Sequence, residues 1–90
     1  MTIENITLKQ VKDYLRISGS EFDEMLREML KCAIDVAKLY IDQKEIDSEF
    51  AIIKQGILAH VAIMFDAKYI TSNLPAEILQ YYKPLIRHKL

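Results

Sequence analysis

Residues 7–41, TLKQVKDYLRISGSEFDEMLREMLKCAIDVAKLYI, decide the fold. Two helices are legible in this stretch. The first has a written start: Thr7 and Gln10 have the Thr-x-x-Gln spacing of a capping box, with Ile6 and Val11 placed for a hydrophobic staple. Leu8, Val11, Tyr14 and Leu15 then recur at helical spacing, and the helix is expected to end near Ile17, before Gly19. Ser20 is the expected N-cap of the second helix, with Glu21, Asp23 and Glu24 favoured in its first turn by the helix dipole. Phe22, Met25, Leu26, Met29, Leu30 and Ala33 open its apolar side, which Val36, Ala37, Tyr40 and Ile41 continue. Lys31 with Asp35, and Lys38 with Asp42, stand four apart on the charged side as expected ion pairs.

Beyond this stretch the polar run 42–48 reads as a loop. A third helix is predicted over about residues 49–70, with two apolar stripes. One carries Phe50, Ile53, Ile57, Leu58, Val61, Met64 and Phe65. The other carries Ile52, Gly56, Ala59, Ile63 and Ile70. A helix apolar on two faces is contacted from two sides. Gly56 and Ala59 leave room for another backbone, so Ile52, Gly56, Ala59 and Ile63 are the candidate subunit interface. After a break at residues 71–73, Pro75 fits the first position of a short fourth helix over 76–82, which Pro84 ends before the basic tail LIRHKL. The expectation is one all-α domain over residues 1–90, a small bundle of about four helices: short, long, long, short.

The chain has 90 residues, 51% of them hydrophobic, with two Gly and two Pro. A domain this small buries only about two thirds of its unfolded surface, so association with other subunits is the simplest way to complete its core. Net charge is −1, but unevenly spread: +1 over residues 1–19, −5 over 20–49 and +3 over 50–90. Such polarity suits head-to-tail stacking on copies of itself or on an oppositely charged neighbour. Cys32 stands alone, so no internal disulfide forms, and the opening residues have no secretory pattern, which makes a reducing cytosol the expected folding compartment. Lys54, Gln55, His60, Asp66 and Lys68 interrupt the apolar run 50–70, which is read as too polar for a membrane span.

Chemistry is hard to find. One Cys and two His at no ligand spacing give no metal site, and no Gly-rich phosphate loop exists. His60 reads as a packed histidine, His88 as solvated, and Cys32 as a small hydrophobe. No catalytic residue and no cofactor is expected. The first two helices have the short turn of a helix-turn-helix reader, but a recognition helix opening with Glu21, Asp23 and Glu24 would repel phosphates. Lys83, Arg87 and Lys89 offer at most non-specific DNA contact. A small cytosolic helical interaction or regulatory module, such as a helical regulator or a subunit that dimerises through the third helix, is the other reading the residues allow.

The order of motifs resembles a known family. Residues 8–17, LKQVKDYLRI, then a polar turn, an acidic helix start and the apolar run from Leu26 to Tyr40, resemble the opening of tailed-phage head–tail connector proteins, also called adaptor or DNA-packaging proteins, found in phages and prophages. The ending Phe65-Asp66-Ala67-Lys68 is similar to the family's aromatic-x-x-basic pattern, and Leu74-Pro75, a short helix, and Tyr82, Pro84 and Arg87 follow in family order. The family's Tyr-Arg pair is absent, since Lys83 follows Tyr82. The resemblance implies a structural virion protein assembled in the bacterial cytoplasm. It further implies a ring, dodecameric in the family, that lies under the portal protein, extends the DNA channel and receives neck or tail proteins. Lys83, Arg87 and Lys89 would be the candidate portal or DNA contacts.

Overall fold

The computed structural model describes residues 3–70 and 73–85. Five α-helices follow in order: α1 (Leu8–Leu15), α2 (Asp23–Tyr40), α3 (Gln43–Ser48), α4 (Phe50–Ala67) and α5 (Ala76–Tyr82). Short 3₁₀ turns precede α1 (Ile3–Asn5) and follow α5 (Lys83–Leu85). The protein is an all-α bundle, with no strand among the described residues.

Helix α4 is the centre. Helices α2 and α5 pack on it from different sides and hardly touch each other, while α1, α3 and the first 3₁₀ turn complete the cover. Phe22 at the start of α2 meets Phe65 near the end of α4, edge to face at 5.2 Å, so the two long helices run antiparallel. Val11, Leu26, Met29, Ala33, Ile53 and Ile57 are among the fully buried residues of one continuous core. The molecule measures 41 × 26 × 16 Å, and its thin dimension holds no more than about two helix layers at ordinary interaxial spacing.

Helix α1 starts as its sequence dictates. The Thr7 hydroxyl accepts from the Gln10 N–H at 3.1 Å, and the Thr7 N–H donates to Gln10 Oε1 at 2.8 Å. Its end is a Schellman turn: Ile17 N–H bonds Lys12 O at 2.9 Å and Arg16 N–H bonds Asp13 O at 3.2 Å. The left-handed residue there is Arg16, with φ of 61°, not a glycine. Helix α4 ends in the same way, on Lys68 with φ of 63°.

Four expectations are corrected. Ser20 is not the N-cap of α2. That helix begins at Asp23, and Ser20 only closes a turn through its carbonyl, because Phe22 is engaged against Phe65 and the helix starts one residue later. The polar run 42–48 is not a loop, since it holds α3. Burial of Ile46 and a Gln43 to Asp47 side-chain bond of 2.9 Å fix one and a half turns that propensity alone leaves unformed. Lys38 donates to Glu4 at 2.7 Å, tying the first 3₁₀ turn to α2, instead of pairing with Asp42. Pro75 is extended and is the N-cap residue of α5, one place ahead of the first helical position.

Candidate functional site

Two surfaces distinguish this molecule among the described residues. Helix α5 lies along the Gly56 stripe of α4, with Ile78 and Tyr82 turned inward and fully buried. The Tyr82 ring occupies the place a side chain at residue 56 would fill: a Cβ built there would stand 2.5 Å from Tyr82 Cε1. The close approach at Gly56 is therefore made by an aromatic ring of the same chain, where the sequence suggested another backbone. Of the four candidate interface residues, Gly56 is covered, Ala59 and Ile63 are half-buried, and Ile52 is 47% exposed. Leu79 and Tyr81 emerge on the two sides of α5, and Lys83 is exposed beyond it. Arg87, Lys89 and His88 lie outside the described residues.

The core of this side is polar in an unusual way. His60 is fully buried one turn after Gly56, and neither ring nitrogen has a hydrogen-bond partner. The Tyr82 hydroxyl is buried without a partner as well. Burial holds the His60 imidazole below its ordinary pKa, in the neutral form, and pushes the Tyr82 phenol up. Each such group costs about 1–3 kcal/mol of desolvation, so the α4–α5 contact is weaker than its buried area suggests.

A second surface lies on α2. Cys32, Val36 and Leu39 line a groove of about 530 Å³, closed on one side by Ile70 from the segment after α4. Leu39 is 77% exposed, the most exposed large apolar side chain among the described residues. Glu28, Lys31 and Asp35 form the rim, and Lys31 pairs with Asp35 at 3.4 Å. Burial, with the Asp35 charge adding to it, raises the Cys32 thiol pKa, the opposite of what an activated nucleophile needs.

The sequence signalled Lys68 only as the end of a pattern, and the structure gives it a mechanism. Its ammonium stands 3.8 Å from the Phe65 ring centre and 5.5 Å from that of Phe22, and it donates to the Phe65 carbonyl at 3.1 Å. One side chain thus ends α4, satisfies an end carbonyl and holds the α2 start in place by cation–π attraction. Lys12 and Asp23, 2.9 Å apart and largely buried, tie α1 to the same corner.

Helix α4 is long and apolar enough, by length and composition alone, to cross a membrane, contrary to the reading of its sequence as too polar. Its packing explains the composition: seven of its residues are buried, and other helices cover it from several sides. Among the described residues no group of three or more His, Cys, Asp or Glu is placed to hold a metal ion.

These features define a class: a small all-α protein whose distinctive parts are contact surfaces. A family model described as phage gp6-like head–tail connector protein matches residues 5–86. The chain belongs to that family, and it is a structural connector protein of phage, a virion component whose partners are in general portal and tail proteins and other connector subunits. No curated protein and no solved structure matches it.

Proposed function

We propose that this chain is the ring-forming subunit of its head–tail junction, sitting beneath the portal and extending the channel through which DNA passes. Family membership carries the reading. Two features support it. A closed ring needs two different surfaces per subunit. The α4–α5 flank (Ile52, Ala59 and Ile63 beside the covered Gly56) and the α2 flank (Leu39 above its groove) are separate and both expose apolar side chains. Their charge also differs, with residues 20–49 net acidic and 50–90 net basic. Portal docking falls to Arg87 and Lys89, the basic residues that follow Lys83 in the sequence. Assembly takes place in the bacterial cytoplasm, and the family resemblance gives twelve copies as the expected number in the virion.

The test is addition of the purified protein to portal rings of the same phage, followed by sedimentation and electron microscopy. A second ring stacked coaxially on the portal is the expected result. Protein that stays monomeric and leaves portal rings unaltered at high concentration would overturn the proposal.

A further inference from the structure

We infer that the groove on α2 is the seat of the α5 flank of a second copy of this chain. The inference rests on the ring reading above and names the two surfaces that meet. Charge and register carry it. On the groove rim Lys31 and Asp35 neutralise each other, while Glu28 is exposed with no ion pair among the described residues. Along α5 and its C-cap, Ile78 and Tyr82 face α4, which places Leu79 and the C-cap residue Lys83, whose backbone is still helical, four apart and together on one outward flank. Lys83 is likewise exposed with no ion pair among the described residues. Among the described residues each surface therefore carries one unpaired charge, of opposite sign.

The apolar parts fit in the same register. Glu28 to Cys32 on α2 and Lys83 to Leu79 on α5 are each four residues, or roughly 6 Å along a helix. With Lys83 set against Glu28 and the two helices antiparallel, Leu79 falls opposite Cys32. The rest of α5 then runs toward Val36 and Leu39, the apolar length of the groove. The groove and the flank lie on helices that pack on α4 from different sides, so one subunit can offer its flank to one neighbour and its groove to another, and a heterologous contact of this kind propagates from copy to copy.

Cys32, the single cysteine, makes this testable. Leu79→Cys protein is mixed with portal rings and oxidised under alkaline conditions, which offset the raised thiol pKa. The expected result on a non-reducing gel is a ladder of covalent oligomers extending beyond the dimer, absent from wild type and from Cys32→Ala/Leu79→Cys. A covalent dimer that stops at two, joined through Cys32 alone, overturns the inference. So does wild-type protein that assembles on portal rings while the Leu79→Cys variant gives no ladder, an outcome that leaves the ring reading standing. Wild-type protein that never assembles ends both. An independent arm uses exposed charges that cannot disturb the core. Lys83→Glu should weaken subunit association about tenfold, and Glu28→Lys in the same chain should restore it. Failure of the second change to rescue the first counts against the assigned pairing.

Discussion

Replacing Gly56 by Ala separates helix propensity from packing at one atom. In an exposed helix interior the change stabilises by about 1 kcal/mol, because glycine loses more backbone freedom on folding. Here the new methyl would stand 2.5 Å from Tyr82 Cε1, 3.0 Å from Cζ and 3.1 Å from the hydroxyl oxygen. Carbon atoms sit comfortably at about 3.5–4.0 Å, so the ring must retreat by about 1 Å or more. It cannot turn away freely, since Tyr82 is fully buried. Overpacking of this kind costs about 1–3 kcal/mol and outweighs the propensity gain. Gly56→Ala should therefore destabilise, by up to about 2 kcal/mol net, read as a lower urea midpoint by circular dichroism at an unchanged m-value. In a Tyr82→Ala background the obstacle is gone, and the same Gly56→Ala change should stabilise by about 1 kcal/mol. The coupling across the cycle is then about 1–3 kcal/mol. A gain in stability from Gly56→Ala in the otherwise native chain would refute the placement of Tyr82.

Three further outcomes are expected. Arg16→Gly relieves a left-handed backbone that costs a non-glycine residue about 1 kcal/mol, so it should raise the urea midpoint by an amount worth about 0.5–1 kcal/mol, where an exposed mid-helix glycine would lower it. His60 is held neutral, its pKa depressed by burial below 6.5. Its contribution to stability is thus whole above pH 6.5 and declines as pH falls from there through the depressed folded value. Thermal melts across that interval should show the decline, and His60→Leu should flatten it without loss at neutral pH, because an apolar group replaces an imidazole that has no partner to leave behind. Lys68→Ala removes the cation from Phe65 and Phe22 and should cost about 1 kcal/mol, with the largest hydrogen-exchange increase at the start of α2; an increase confined to the end of α4 would show that the two rings do not depend on it.

The local grammar was readable from sequence alone. The capping box at Thr7 and Gln10, the apolar side of α2, the two-sided α4 and the short helix before Pro84 all depend on residues within a turn or two of one another, and side-chain spacing records such relations directly. The order of those motifs also sufficed for the family. What the spacing could not record was decided by residues distant in the chain. Helix α3 exists because Ile46 finds the core, and a lone apolar residue in a polar run carries no period to read. Ile34, missing from the expected apolar side, is buried because α2 is covered over a wider arc than one stripe. Lys38 chose Glu4, thirty-four residues away, over the carboxylate four residues on. Gly56 announced a close approach without naming the partner, and only the return of α5 along α4 set Tyr82 there. The groove on α2 was equally invisible, since Ile70 closes it from beyond the end of another helix. Sequence fixes which faces are apolar, because that is a property of neighbouring residues. Tertiary structure decides which of those faces the chain covers itself and which it leaves for another molecule, because burial is a competition among all faces for a core too small to take them all.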